Sequence, residues 1–67
     1  MPLVSVGLPV YNGAKYIRVA LEALLAQTYT DLEIVISDNA SSDETPQISE
    51  EFVKRDRRVR YFRTPFN

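Results

Sequence analysis

The chain contains no cysteine and no histidine. The first absence excludes a disulfide staple; together they exclude zinc-type ligand spacing and any Cys or His nucleophile. A cysteine-free composition also fits a reducing compartment. Long hydrophobic runs are missing too, and the apolar stretches last only a few residues, far short of a membrane span. Met1 is not followed by a positively charged segment and an apolar stretch ending in small residues, so no signal peptide is expected. There are only two glycines, Gly7 and Gly13, with Pro9 and Tyr11 between them. They cannot supply the Gly-x-Gly-x-x-Gly of a dinucleotide fold, and no Gly-Lys-Ser/Thr completes a phosphate loop. A strong charge of one sign is absent as well: the formal net charge is −1. That balance argues against nucleic acid as a partner.

What remains is 67 residues, 45% hydrophobic and 25% charged, the make-up of an ordinary globular domain. The length allows one domain at most. A chain this short buries only about 60% of its unfolded surface, so its core is marginal unless it is paired.

Leu3 to Pro9 is short, apolar and β-branched, with Pro2 and Pro9 at its ends, and reads as a strand. Val10 to Ala14 is a loop, marked by the turn dipeptide Asn12-Gly13. From Ala14 the period changes: Tyr16, Ile17, Ala20, Leu21, Leu24 and Leu25 form one stripe of a helix. Gln27 to Asp31 ends it. Leu32 to Ser37 is a second strand whose Ile34-Val35-Ile36 centre is apolar on both faces, as in a parallel sheet covered by helices on both sides. Asp38 to Asp43 is a small polar loop. Thr45-Pro46 reads as N-cap and first helical residue, with Ile48, Phe52 and Val53 as the apolar face of the second helix. Asp56 to Arg58 ends that helix, and Val59 to Phe62 is a third strand. The fold class is α/β, a β-α-β-α-β start of a parallel sheet. Open outer edges lead us to expect a fragment that self-associates.

In open α/β sheets, ligands sit beyond the carboxyl ends of the strands. Those ends deliver Pro9-Val10-Tyr11-Asn12-Gly13 and Asp38-Asn39-Ala40-Ser41-Ser42-Asp43. With Leu24-Leu25-Ala26-Gln27-Thr28-Tyr29-Thr30-Asp31-Leu32-Glu33-Ile34 between them, these segments resemble the family 2 glycosyltransferases of the Rossmann-like GT-A fold. The resemblance covers essentially the whole chain. It implies that residues 1–67 are the N-terminal part of one glycosyltransferase domain, stopping before the catalytic half. It also implies a nucleoside-diphosphate sugar as donor, an acceptor read by other segments, and a divalent metal (Mg or Mn) whose ligands lie downstream. A cytoplasmic location follows, with any contact to the inner face of a membrane made through segments beyond these residues.

The resemblance lays Tyr11 against the base and gives Asp38 a hydrogen bond to it. Pro9 contributes rigidity and a backbone carbonyl. Asn39 stands where the family often has a second Asp, so a charge-dependent role there is lost. A carboxylate only accepts, so Asp38 would select a base edge presenting N–H, as in UDP, dTDP or GDP, over ADP. From the residues alone, Asp38 is equally a solvated or helix-capping acid, and Tyr11 a loop residue packed on the first helix. Asn12-Gly13 reads as turn chemistry and helix capping, and Asp43 as a cap of the second helix.

Asp31-Leu32-Glu33 looks like an acid-x-acid metal motif but precedes the second strand, at the wrong end of the sheet. Arg55, Arg57, Arg58, Arg60 and Arg63 read as a solvated helix end and strand edge. The alternative function is a non-catalytic α/β interaction module that uses them as a basic C-terminal patch. Asn67 falls where the family often continues into Asn-x-Gly.

Overall fold

The computed structural model describes residues 4–27 and 31–65. Pro2 and Leu3 at the strand start, Thr28 to Thr30 at the helix stop, and Asn67 lie outside the described residues. The order is β1 (Val4–Val10), α1 (Ala14–Leu25), β2 (Leu32–Asn39), α2 (Thr45–Arg55) and β3 (Val59–Thr64). The three strands are parallel in the order β1-β2-β3.

Two crossovers stepping the same way across a sheet place both helices on one face. Alternation along β2 matches this: Leu32, Ile34, Ile36 and Asp38 are buried toward the helices. Ile17 and Leu21 of α1, Phe52 of α2, and Val10 and Val59 complete the core. The expectation of helices on both faces does not hold within the described residues. Glu33, Val35, Ser37 and Asn39 point to the opposite, open face, where Val35 is half-buried and Ser37 and Asn39 are exposed. At the amino end of that face Ser5 donates to Glu33 (3.3 Å), and Arg60 pairs with Glu33 (3.5 Å). Glu33 therefore belongs to a polar ladder remote from the strand ends where ligands bind.

The helices are joined across their exposed sides by Arg18–Glu51 (2.7 Å) and Arg55–Glu22 (2.6 Å). Such exposed pairs contribute little to stability, because water screens them. Both guanidinium groups also lie over the buried Phe52 ring, at 5.8 and 4.5 Å.

β2 and β3 each run two residues further than the sequence pattern suggests. The register explains it: Asp38 pairs with Arg63 and Asn39 with Thr64, so these polar residues gain ladder partners. α2 begins at Thr45, with Glu44 in the N-cap position. Thr45 is thus the first helical residue and not the cap, and its hydroxyl is engaged elsewhere.

Candidate functional site

A helix start leaves backbone N–H groups without intrahelical partners. At α1 they are satisfied by the loop after β2, about thirty residues away in the chain. Gly13 N–H donates to Thr45 Oγ1 (3.0 Å), and Ala14 N–H to Asp43 Oδ2 (3.1 Å). Asp43 Oδ1 accepts from Thr45 N–H at 2.9 Å, so one carboxylate serves both helix starts. These hydrogen bonds, chiefly from Thr45, hold the Asp43 carboxyl below its ordinary range. Asp43, one residue before the Glu44 cap position, therefore serves the start of the second helix and that of the first as well.

Asn12 answers in the other direction. Its Oδ1 accepts from Ser42 N–H (2.7 Å) and Asp43 N–H (3.3 Å), while its own N–H donates to Ser41 Oγ (2.8 Å). Asn12 has φ 50°, a left-handed conformation that asparagine tolerates better than most residues. Ala40, with φ 58°, makes the matching turn in the other loop. Gly13 is required by space: a Cβ there would meet Val10 Cγ2 at 2.4 Å and the Tyr16 ring at 2.6 Å. The two loops are thus one cross-bonded unit.

Asp38 lies at the junction and is 1% exposed. Its Oδ1 accepts from Ser41 N–H (3.0 Å) and its Oδ2 from the Tyr61 hydroxyl (2.5 Å), with Arg63 Nε at 3.8 Å. Burial acts to raise its pKa, but hydrogen bonds from Ser41 and Tyr61 and the Arg63 charge outweigh that and hold the carboxyl below its ordinary range. Burial, then the Asp38 hydrogen bond and charge, push the Tyr61 phenol well above its usual value, so it stays a donor. The carboxylate expected to face a base is enclosed in this arrangement, on the edge of the cleft described below. Strand alternation puts Asp38 on the helix face, with Ile34 and Ile36, and its oxygens are engaged there.

A cleft of about 300 Å³ at the carboxyl ends of the strands is lined by Pro9, Ser37, Asp38, Asn39, Phe62, Arg63 and Thr64. Of the sequence candidates it brings together Pro9, Asp38 and Asn39. Tyr11 is not among its lining residues; it follows β1 directly and is 53% exposed. Sequence reasoning missed the contribution of β3. Tyr61 holds Asp38, Arg63 Nη2 donates to the Ser41 carbonyl (2.9 Å), and Thr64 Oγ1 approaches Asp38 O (3.3 Å) and Asn39 Oδ1 (3.1 Å). Phe62, 57% exposed, adds an aromatic face. Strand alternation carried past Phe62 would have placed Tyr61 and Arg63 beside Asp38.

The arginine cluster disperses. Arg55 pairs with Glu22, Arg58 with Asp56, Arg60 with Glu33, and Arg63 reaches Asp38 and Ser41. A larger groove, about 880 Å³, runs along α2 and shares Tyr61 and Arg63 with the site but none of the loop residues. No helix among the described residues is long and apolar enough to cross a membrane.

Against known proteins, the family model described as Glycosyl transferase family 2 matches residues 5–67. An uncharacterized glycosyltransferase of Rickettsia prowazekii is 52% identical over 48 residues, covering 72% of this chain and 15% of that protein. Chondroitin synthase of Escherichia coli is 46% identical over 61 residues, 91% of this chain and 9% of the synthase. Among solved structures, a mannosyltransferase from Pyrobaculum calidifontis in complex with GDP-Man and Mn2+ matches with a TM-score of 0.87 at 28% identity, over 98% of this chain and 20% of that one. The chain therefore spans a small part of the length of these relatives.

Proposed function

The chain belongs to glycosyltransferase family 2, and on that footing we propose that it forms the nucleotide-holding part of an enzyme moving a sugar from a nucleoside-diphosphate sugar to an acceptor. Residues 1–67 are, in this reading, the N-terminal part of the transferase domain. The observation that carries it is the cross-bonded pair of loops at the strand ends, with Pro9 and Asn39 on the wall of one cleft and Tyr11 exposed directly after β1.

Each residue has a physical part. Tyr11 offers a ring face for stacking on a base, a contact that contributes about 1–3 kcal/mol. Asn39 offers amide donor and acceptor groups to the base edge. Pro9 limits backbone freedom where β1 ends. Asp38 supports the base site from behind, ordering Ser41 in the loop that follows Asn39. UDP, dTDP and GDP are the donors put forward. The GDP-Man complex of the Pyrobaculum relative supports a nucleoside-diphosphate sugar as the donor class.

The same relative's Mn2+ supports a divalent metal, Mg or Mn, in the complete enzyme. The residues present here do not fit such an ion. Among the described residues no three acidic side chains converge, and the Asp38 oxygens are engaged by Ser41 and Tyr61. Metal ligands, the catalytic base and acceptor recognition are assigned to segments outside residues 1–67. Transferase activity by this chain alone is accordingly not expected. A cytoplasmic location, at the inner face of a membrane if other segments attach it there, completes the proposal.

The test is nucleotide binding by the full-length protein, measured by calorimetry with UDP, dTDP and GDP. Tyr11→Ala and Asn39→Ala should each weaken the preferred nucleotide by about tenfold, the equivalent of about 1.4 kcal/mol. Affinity unchanged in both variants would sink the assignment.

A further inference from the structure

Ser41 is buried where β2, β3 and the loop after β1 meet. Its N–H donates to Asp38 Oδ1 at the end of β2 (3.0 Å), and its carbonyl accepts from Arg63 Nη2 on β3 (2.9 Å). The Ser41 hydroxyl faces the other loop and accepts the Asn12 N–H at 2.8 Å. A hydroxyl has one proton and two lone pairs. That proton goes to the Asp38 carboxylate, which draws hydrogen bonds from both the side chain and the backbone of Ser41. A hydroxyl that donates to a carboxylate is a better acceptor, because bonds in a chain polarise one another. The Asn12 N–H belongs to the peptide group that joins Tyr11 to Asn12. The run from Asn12 through Ser41 to Asp38 therefore ties the peptide after Tyr11 to a buried charge.

We infer that Ser41 is a positioning residue of the nucleotide site: it fixes the peptide after Tyr11 and so sets where the exposed ring stands. The inference rests on the reading of Tyr11 as the residue that stacks on the base. Before Tyr11, Val10 is buried and pairs with Asp38 in the ladder, which holds the backbone on that side. After Tyr11, the Asn12 N–H has Ser41 as its partner. The ring itself is exposed, and no hydrogen bond among the described residues holds its hydroxyl. Its place is thus decided by the peptides on either side. A loose peptide after Tyr11 lets the ring sample positions from which a base must select one, at a cost in entropy. Ser41→Ala cuts this tie selectively. The bonds to Asp38 Oδ1 and Arg63 run through the Ser41 backbone, and Asn12 Oδ1 still joins the loops through the Ser42 N–H.

The experiment is calorimetric titration of the full-length protein with UDP, dTDP and GDP, followed on the nucleotide that wild type prefers. Ser41→Ala should weaken that nucleotide by about fivefold, the low end of what fixing one residue's backbone is worth. In a Tyr11→Ala background the same change should alter affinity by less than about twofold, because no ring is left to place. Equal losses in the two backgrounds overturn the inference, since a merely structural role moves both alike. A Ser41→Ala protein that binds as tightly as wild type, while Tyr11→Ala binds more weakly, overturns it too. Wild type that binds none of the three nucleotides, or Tyr11→Ala that binds as wild type does, overturns instead the reading on which it rests. If Ser41→Ala does not fold, Ser41→Cys puts a weak acceptor in the same place, and the same pair of backgrounds decides.

Discussion

The Tyr61 hydroxyl donates to Oδ2 of Asp38 at 2.5 Å, joining the middle of β3 to the end of β2 on the buried face of the sheet. Asp38 is fully enclosed there, and Arg63 approaches the same oxygen only at 3.8 Å. Removing the phenol oxygen leaves a buried carboxylate oxygen short of its donor. Tyr61→Phe should therefore destabilise the fold by about 1–3 kcal/mol, read as a lower urea midpoint. A midpoint equal to wild type would show that the bond contributes nothing net.

The same pair sets an acid dependence. Asp38 has a folded pKa below its ordinary value, so its contribution to stability is present above the unfolded value, about 4, and is lost as pH falls through the folded value. Part of the Tyr61→Phe deficit should accordingly shrink between pH 7 and pH 3, because a protonated Asp38 gains less from the phenol. Urea melts of both proteins across that range check it; a deficit that grows on acidification contradicts the sign.

Asn12 tests the joint between the loops. Its Oδ1 takes two backbone N–H groups of the opposite loop, and its φ of 50° is a conformation that alanine adopts at a cost. Asn12→Ala should lower stability by about 1–3 kcal/mol. Asn12→Gly removes the bonds but relieves the backbone, so it should fall between wild type and alanine. Circular dichroism melts of the three proteins give the order, and Asn12→Gly at or below Asn12→Ala would assign the effect wholly to the lost bonds.

How far the sequence foretells this site depends on whether the information is local. The β-α-β-α-β order, the helix start at Ala14 and the strand start at Leu32 all follow from period and turn chemistry within a few residues. Thr45 shows the limit. Its position beside Pro46 is what a cap would have, yet its hydroxyl accepts from Gly13 N–H, in a loop it meets only after the first crossover lays β2 beside β1. Asp38 shows the same limit. A polar residue after an apolar strand reads as the start of a loop, and only pairing with Arg63 keeps it in the sheet and turns it toward Tyr61. Sequence names the residues at the strand ends; the neighbouring strand decides which of them face a ligand.

Ser49 makes a prediction in the stabilising direction. It is fully buried on α2, and its Oγ has no hydrogen-bond partner among the described residues. An unsatisfied buried hydroxyl is a net cost, so Ser49→Ala, which keeps the small volume the site requires, should raise stability by on the order of 1 kcal/mol. A loss of stability on denaturation would reveal a partner for the hydroxyl.

Among the described residues β1 and β3 each pair on one side only, so both outer edges present free backbone donors and acceptors. Such edges template pairing with another chain unless charge or proline blocks them. β3 carries Arg60 and Arg63, which discourage it, while β1 carries no charge and is blunted only near its end, by Pro9. Residues 1–67 alone should therefore associate with concentration, through β1 in preference to β3. A Cβ at Gly7 meets nothing within 4 Å, so Gly7→Lys fits and places a charge on the open face beside the exposed edge. Light scattering should show wild type growing in mass with concentration and Gly7→Lys doing so less. A wild-type monomer over the whole range would show that these edges are not adhesive, and equal association of the two proteins would shift the contact to β3.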